Sequence, residues 1–250
     1  MSSVLSQTSE DFEFLVIDGA STDGSIDIIH GFEGMDTRHP FLWISEPDSG
    51  RYSAMNHGLA LAHGDYVLFL NSGDQFYDKD VINDFVSFNG SADIISGIEF
   101  IPELDKVCNP PDPESLTYDY LVDDVLRHQS TFIRRSLLQE MGGYSEKYKI
   151  VSDWEFWLKA LVKENASYMV FPRVVSVFEW GGVSNQNEFL HKKQEEEQDV
   201  LSTILPRVHR NIVELRALRR IKQEFDFLKN GDVGWLVRGM LHLKRLKHRT

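Results

Sequence analysis

A run of five apolar residues, residues 66–70, reads Tyr-Val-Leu-Phe-Leu and restricts the fold more than any other segment. It is apolar on both faces, which is typical of a central strand in a sheet covered on both sides. Two shorter β-rich runs precede it, at residues 12–17 and 41–44, and apolar side chains recur at helical spacing between residues 52 and 62. This alternation predicts an α/β fold with a mostly parallel sheet and flanking helices.

Size and charge limit the classes of function. With 250 residues, 42% of them apolar, the chain can bury one substantial core together with a helical appendage. Its formal net charge of -13 would repel a polyanion, which argues against nucleic-acid binding. We expect a cytoplasmic protein, because no apolar run approaches the ~20 residues that cross a bilayer, no secretory signal is visible, and Cys108 is the only cysteine.

Three acidic residues follow predicted strands. Asp18 follows the first strand, Asp48 the second, and Asp74 lies just beyond the apolar run. In an open α/β sheet the ligand binds beyond the carboxyl ends of the strands, and converging carboxylates there need a cation or hydrogen-bond donors. Each aspartate alone could equally cap a helix or a turn. Three at successive strand ends favour a site.

Several segments resemble, in order, consecutive signatures of the family 2 glycosyltransferases, in particular bacterial enzymes of exopolysaccharide or capsule assembly such as the colanic-acid type. The segments are residues 4–8, 12–25 and 46–58, and Phe69-Leu70-Asn71-Ser72-Gly73-Asp74. The resemblance implies a GT-A fold over residues 1–185, followed by a helical, basic extension over residues 186–250. It also implies a nucleotide-sugar donor, a saccharide or lipid-linked saccharide acceptor, Mg²⁺ or Mn²⁺, and inversion at the anomeric carbon.

The resemblance assigns the donor side residue by residue. It places Asp18 beside the donor nucleotide, and Asp48 and Asn56 in the donor-site loop and its supporting helix. Asp74 matches the acid of the family's D-x-D element that ligates the metal. Two departures stand out: Gly19 occupies the position of a second aspartate in many members, and Asp74 is the only acid in its element, so we expect modest metal affinity.

The same resemblance makes Asp153 the catalytic base. Ser152-Asp153-Trp154 and the residues after it resemble the family's E-D-x-x-x-W-L element, with Ser152 in place of the glutamate. Inverting transfer needs one carboxylate, opposite the leaving group, to remove the proton of the acceptor. From the residues alone, Asp153 could equally cap the helix that it begins. Glu155 points elsewhere in a helix and is the weaker candidate.

Other segments resemble the acceptor side. His128 and Gln129 open a predicted strand, residues 128–133, and match the family's H-Q segment, while Trp180 precedes two glycines in a segment similar to a flexible turn that closes over substrate. The histidine could be structural and the glycines a simple turn. The proline-rich residues 102–113 predict a mobile loop bordering the site.

The start and the tail of the chain raise two further expectations. Residues 4–8 resemble the helix after the family's first strand, so we expect that central strand and part of the donor pocket to be absent unless another segment fills the gap.

After residue 206 the chain carries 12 Lys/Arg against 4 Asp/Glu. Residues 235–246 could form an interfacial helix on anionic lipid at the inner face of the membrane, or pack on the chain itself or on a second subunit.

Two other functions compete with sugar transfer. A catalytically silent module that binds nucleotide sugars or carbohydrate would share the fold but show no metal-dependent transfer or hydrolysis. A nucleotidyltransferase would need a glycine-rich, basic loop for phosphate near the start of the chain, and no such loop is present in the sequence.

Overall fold

The computed structural model describes residues 1–33, 39, 41–179, 187–204 and 206–230. The chain divides into two compact units, Met1–Val200 and Leu201–Thr250. The predicted domain boundary at residues 185–186 lies outside the described residues and stays a prediction.

The described residues contain nine α-helices, numbered here in chain order. They are α1 (Ser2–Leu5), α2 (Ser25–Glu33), α3 (Arg51–Leu61), α4 (Val81–Ser87), α5 (Tyr118–Asp123), α6 (Arg135–Glu140), α7 (Ser152–Trp157), α8 (Asn187–Ile204) and α9 (Pro206–Asn230). A π-helical segment, Leu158–Lys163, follows α7 directly, and 3-10 turns lie at Pro102–Leu104 and His128–Ser130.

Within the described residues, eight strands form two sheets. The strands are β1 (Phe14–Asp18), β2 (Phe41–Ser45), β3 (Tyr66–Val67), β4 (Gln75–Phe76), β5 (Ile94–Ile101), β6 (Lys106–Cys108), β7 (Thr131–Arg134) and β8 (Tyr168–Val177). β1 and β2 pair in parallel, in a register from Phe14 opposite Phe41 to Asp18 opposite Ser45. The second sheet has the order β3-β7-β5-β8-β4, with β6 paired to β5.

The α/β class is confirmed, but the pairing differs from the predicted mostly parallel sheet. In the second sheet only β5 and β8 run parallel, and every other pair is antiparallel. The reason lies in the connections: β5 and β6 are joined by a short turn, which permits only an antiparallel pair, whereas parallel strands need a long crossover. Of residues 66–70, only Tyr66 and Val67 pair in a ladder.

Two local predictions were wrong. Residues 102–113 do not form only a loop, because the chain turns at Asp105, in a left-handed conformation (φ 45°), and β6 pairs back onto β5. The strand expected at residues 128–133 begins only at Thr131. Before it, the amide of Ser130 donates to the carbonyl of Arg127 at 2.9 Å, and this 3-10 turn gives His128 a direction that a strand would not.

Helix α3 follows the predicted pattern, with Tyr52, Met55 and Leu59 buried along one face. It begins after Gly50, whose φ of 129° suits glycine, and ends at an extended Ala62. A core of apolar side chains packs on one face of the second sheet, where the rings of Phe85 and Phe132 stack with centroids 3.6 Å apart. Burying each such side chain stabilises the fold by roughly 1.5–3 kcal/mol.

The second unit contains the whole of α9, which confirms the predicted helical extension. This helix leaves several large apolar side chains exposed, among them Leu218, Ile221 and Phe227. None of the helices in the described residues is both long enough and apolar enough to cross a bilayer. The predicted interfacial helix at residues 235–246 lies outside the described residues.

Candidate functional site

The parallel pair β1–β2 places Asp18 and Asp48 at one edge. Asp18 ends β1, and its Oδ2 accepts hydrogen bonds from Ser45 Oγ at 2.6 Å and from the amide of Ser21 at 2.9 Å. Burial tends to raise the pKa of Asp18, but these donors outweigh it and hold the pKa below its usual value. Asp18 is therefore an ionised carboxylate at the carboxyl end of the strand.

Asp48 lies directly against Gly19. A Cβ added at Gly19 would stand 2.8 Å from Asp48 Oδ2, which is shorter than a normal contact. The other oxygen, Asp48 Oδ1, accepts a hydrogen bond from the amide of Gly50 at 2.8 Å. The missing side chain at residue 19 thus makes the space that Asp48 occupies.

The turn at residues 71–74 holds Asp74. The amide of Asp74 donates to the carbonyl of Asn71 at 3.1 Å, and the amide of Asn71 donates back to Asp74 Oδ2 at 3.3 Å. Burial raises the pKa of Asp74 to about 6, against the opposing effects of His128 and the Asn71 amide. An acid with a raised pKa in a cleft is typical of a functional site.

Glu179 brings a second carboxylate to the same turn. A Cβ added at Gly73, whose φ is 98°, would stand 2.5 Å from Glu179 Oε2. The charge of Glu179 also raises the pKa of Asp74. Sequence reasoning did not select Glu179, although it immediately precedes the Trp180 segment that was selected. Trp180 itself lies outside the described residues, so its predicted acceptor-side role stays a prediction.

Asp153 sits in the first turn of α7 and receives two side-chain hydrogen bonds. Its Oδ1 accepts from the hydroxyl of Tyr52 at 2.9 Å, and its Oδ2 accepts from Nδ1 of His128 at 3.0 Å. Burial alone would raise its pKa, but the hydrogen bonds from His128 and then Tyr52 outweigh this and lower it. The alternative capping role is not supported, because Val151 occupies the cap position and no side chain caps the helix there.

His128 joins Asp153 to the turn of Asp74. Its second ring nitrogen, Nε2, lies 2.8 Å from the side-chain amide nitrogen of Asn71. Asn71 belongs to the same turn as Asp74, so two side chains, Asn71 and His128, connect the predicted donor side with the predicted base. Asp74 and Asp153 are thus linked through two intervening side chains, although 78 residues separate them in sequence.

The remaining predicted residues have supporting positions. Asn56 makes a paired contact with the backbone of Tyr144: its Nδ2 donates to the carbonyl at 2.8 Å, and its Oδ1 accepts from the amide at 2.8 Å. It therefore ties α3 to the loop before α7. Gln129 is buried beside His128, at 5% exposure. Glu155, the weaker base candidate, pairs with Lys159 Nζ at 2.7 Å.

Glu99 is a buried acid that sequence reasoning missed. It lies within the apolar strand β5 at 2% exposure, and its Oε2 has no hydrogen-bond partner in the described residues. Burial raises its pKa to about 7, although Arg127, whose Nε lies 3.8 Å from Oε1, opposes the shift, while Asp74 adds to it. The signal in the sequence that could have identified Glu99 is a single acidic residue within an otherwise apolar strand.

A large cavity of about 770 Å³ lies between the two sheets. Residues of β1 line one wall and residues 66–72 line another, while α3 contributes apolar and small side chains. The lining residues include Phe14, Leu15, Ile17, Met55, Gly58, Leu68, Leu70 and Asn71. A second cavity, of about 320 Å³, lies beside the β5–β6 hairpin and is lined in part by Lys106, Tyr120 and Arg127.

Comparison with known proteins identifies the family. Residues 1–98 match the model of Glycosyl transferase family 2. The chain contains a family 2 glycosyltransferase domain. It is 36% identical over 182 residues to an uncharacterised glycosyltransferase of Mycobacterium tuberculosis (strain CDC 1551 / Oshkosh), an alignment that covers 70% of this chain and 66% of that protein. The chain thus spans about two thirds of the length of that relative.

Two further similarities concern this glycosyltransferase domain. The chain is 29% identical over 200 residues to the PGL/p-HBAD biosynthesis glycosyltransferase of Mycobacterium bovis (strain BCG / Pasteur 1173P2), covering 77% of this chain and 76% of that one. Among solved structures, Staphylococcus aureus TarS 1-349 in complex with UDP superimposes with a TM-score of 0.61 at 19% identity, over 81% of this chain and 60% of that one. The latter similarity shows the fold, and the predicted GT-A class is confirmed.

The glycosyltransferase domain fits a divalent cation beside the donor only with help from the substrate. No group of three His, Cys, Asp or Glu side chains within the described ranges is arranged to hold a metal ion. Asp74 and Glu179 nevertheless converge on Gly73, and the pKa of Asp74 is raised to about 6, so a nearby positive charge would stabilise its anion. Mg²⁺ commonly takes one or two carboxylates and completes its shell with water and substrate phosphates.

Proposed function

We propose that this chain is an inverting glycosyltransferase that moves a sugar from a nucleotide-diphosphate donor to a hydroxyl group of a saccharide or lipid-linked saccharide. The observation that supports this most directly is the connection of Asp74 to Asp153 through Asn71 and His128. Inverting transfer requires one carboxylate directed at the acceptor as the base, and a carboxylate on the side of the diphosphate would hold a cation against the leaving group.

The donor would bind along the edge that carries Asp18, Asp48 and Asp74. Asp18 and Asp48 are carboxylates at the ends of adjacent parallel strands, where they can accept hydrogen bonds from donor hydroxyl or N–H groups. Asp74, together with Glu179, would hold Mg²⁺ or Mn²⁺ against the diphosphate. The cation would neutralise negative charge as the nucleoside diphosphate departs, an effect worth several kcal/mol.

Asp153 would act as the base. The lowered pKa of its carboxylate keeps it ionised at neutral pH, and His128 and Tyr52 hold it in one orientation. In the transfer step the acceptor oxygen forms a bond to the anomeric carbon while the bond from that carbon to the diphosphate oxygen breaks. The proton of the acceptor hydroxyl passes to Asp153. A single displacement of this kind inverts the anomeric carbon.

The biosynthetic setting is also a proposal. We infer a role in assembling bacterial exopolysaccharide or capsule, at the cytoplasmic face of the membrane. Two observations support this. The similar protein of Mycobacterium bovis is named as a glycosyltransferase of PGL/p-HBAD biosynthesis. The sequence after residue 206 is strongly basic. A basic segment is attracted to anionic lipid, where a lipid-linked acceptor would lie. Gln129 and Trp180 would face this acceptor.

The test of the proposed function is transfer by the purified chain. Nucleotide sugars of several kinds are supplied with Mg²⁺ or Mn²⁺, and release of nucleoside diphosphate is measured with and without saccharide acceptors. The anomeric configuration of a product, read by NMR, then decides between inversion and retention. We expect metal-dependent transfer or donor hydrolysis, and a chain that binds donor yet shows neither reaction would instead be a silent binding module.

The base assignment has its own variant. Asp153→Asn keeps the size of the side chain but removes the proton acceptor, so turnover should fall by roughly 10²–10⁴-fold while donor affinity stays unchanged. Glu155→Gln, two residues further along α7, is the matched control and should retain most of the activity. A full transfer rate in Asp153→Asn would remove Asp153 from this role.

We also infer that a further strand would occupy the 770 Å³ cavity between the two sheets, beside β1. β1 pairs with β2 along one edge, and within the described residues no strand pairs with its other edge. Leu68, Phe69 and Leu70 line the opposite wall of the cavity and extend beyond the β3 ladder. An extended apolar segment between these edges would join the two sheets and satisfy their backbone groups.

A peptide experiment tests this inference. A synthetic peptide of about six β-branched apolar residues, flanked by lysines for solubility, is added to the full chain, and amide hydrogen exchange is followed. Protection should increase at Leu15, Ile17, Leu68 and Leu70, with α4 amides as the internal reference. Unchanged exchange at these four amides at saturating peptide would argue against a strand position.

A further inference from the structure

A chain of side-chain hydrogen bonds joins Asn71, His128, Asp153 and Tyr52. It runs from the amide of Asn71 to Nε2 of His128 at 2.8 Å, from Nδ1 of His128 to Asp153 Oδ2 at 3.0 Å, and from the hydroxyl of Tyr52 to Asp153 Oδ1 at 2.9 Å. We call this set the Asn71–Tyr52 relay. Its members come from the turn after β3, the 3-10 turn before β7, and helices α7 and α3.

The relay determines which ring nitrogen of His128 carries the proton. A side-chain amide nitrogen can only donate, so the Nε2 atom facing it must present its lone pair. The proton of the neutral ring is then on Nδ1, where it points at the carboxylate of Asp153. If Asn71 offered no donor, the ring could carry its proton on Nε2 instead, and Nδ1 would present a lone pair to the carboxylate.

Tyr52 contacts the other oxygen of the Asp153 carboxylate. It is 3% exposed within α3, and its hydroxyl lies 2.7 Å from the carbonyl of Ile150 as well as 2.9 Å from Asp153 Oδ1. Burial raises the pKa of Tyr52 far above its usual value, so the hydroxyl stays neutral and keeps its proton for donation. The single hydroxyl proton of Tyr52 is shared between the Ile150 carbonyl and Asp153 Oδ1, while Nδ1 of His128 faces the other oxygen of the carboxylate.

We propose that Asn71, His128 and Tyr52 are positioning residues that hold the carboxylate of Asp153 in one orientation and connect it to the turn of Asp74. This inference rests on the proposed base role of Asp153. It assigns His128 to the base itself rather than to the acceptor lining predicted from sequence. Because Asn71 and Asp74 share one turn, donor binding at Asp74 would be coupled to the orientation of the base.

The first measurement reads the ring directly and does not depend on activity. The full chain is labelled with ¹⁵N-histidine, and the His128 signals are assigned by comparison with His128→Gln. We expect the Nδ1–H form at neutral pH in the native chain and a mixture of both forms in Asn71→Ala. A native ring with its proton on Nε2, or with both nitrogens protonated, would overturn the relay.

The second measurement reads the base. Turnover is measured against pH at saturating donor for Asn71→Ala, His128→Gln and Tyr52→Phe, with the exposed Asn83→Ala as a control for an unrelated asparagine. Loss of a donor raises the pKa of the base, so the acidic limb of the kcat profile should move to higher pH. In addition, kcat should fall by about 10-fold, while KM should change by less than about 3-fold. The groups that face Asp153 and bear on this limb are His128, Tyr52 and the buried Tyr144.

The outcomes separate this inference from the proposed function. A native chain with the Nδ1–H ring but no turnover would contradict the transferase function and leave the relay standing. A chain that turns over normally in Asn71→Ala and Tyr52→Phe, with an unchanged acidic limb, would contradict the positioning role and leave the transferase function standing.

Discussion

The carboxylate of Asp48 occupies the space in which a side chain at residue 19 would lie, because a Cβ at Gly19 would be 2.8 Å from Asp48 Oδ2. Gly19 follows Asp18 at the end of β1, so the contact is made where two parallel strands end. This relationship makes a glycine part of the edge at which we propose that the donor binds, although glycine contributes no functional group.

The first prediction concerns this contact. Gly19→Ala should displace the carboxylate of Asp48 and weaken donor binding by about 3-fold to 30-fold, while the free energy of unfolding changes by less than about 1 kcal/mol, since an exposed carboxylate can move. Isothermal titration with a nucleotide sugar and thermal unfolding measure the two effects. Gly31→Ala is the control: its Cβ would meet nothing within 4 Å, and donor binding should be unchanged.

The second prediction follows from the buried acid Glu99. Its pKa is raised from 4.5 in the unfolded chain to about 7 in the folded one, so the folded state binds the extra proton between these values. Stability from this group is therefore complete below about pH 4.5 and is lost as the pH rises through 7. Glu99→Gln should remove the loss and raise the free energy of unfolding at pH 8 by about 1–3 kcal/mol.

Urea unfolding at pH 5 and pH 8 checks this expectation. Glu103→Gln, an exposed acid at the tip of the same hairpin, is the matched control and should leave the pH dependence as it is. Equal stability of Glu99→Gln and the native chain at pH 8 would mean that the carboxyl of Glu99 is not destabilised by burial.

The third prediction concerns the divalent cation. With a nucleoside diphosphate present, Mg²⁺ or Mn²⁺ should raise the thermal midpoint, because a ligand that binds only the folded state stabilises it. EDTA should reverse the increase, and Asp74→Asn should abolish most of it. Asp78→Asn changes an acid that pairs with Arg173 at 2.6 Å, and it should lower the midpoint without removing the response to the cation.

The fourth prediction tests the structural part of Asn56. Asn56→Ala removes both hydrogen bonds to the backbone of Tyr144, so it should lower the free energy of unfolding by about 1–3 kcal/mol. The loop before α7 should then lose order, and turnover should fall because Asp153 follows this loop. Asn56→Asp keeps the acceptor for the Tyr144 amide but turns a carboxylate oxygen toward the Tyr144 carbonyl and Glu146, so it should be at least as damaging as Asn56→Ala. Denaturant unfolding and kcat at one pH compare the two variants.

The sequence by itself determined the α/β class, helix α3 and the candidate residues of the site. The apolar spacing of Tyr52, Met55 and Leu59 was enough for α3, since helical periodicity is a local property. The acids Asp18, Asp48 and Asp74 could be selected because strand ends are visible in the sequence. Their family resemblance added the expectation of sugar transfer, and the GT-A fold agrees with it.

Only the tertiary structure decided which residues of the candidate site contact one another. The antiparallel pair of β5 with β7 and the relay from Asn71 to Tyr52 join residues that are far apart in the chain. No local pattern encodes such contacts, because they depend on how helices and sheets pack rather than on propensity. The pKa values of Asp74 and Asp153 are likewise set by burial and donors from other elements, so they exist only in the folded chain.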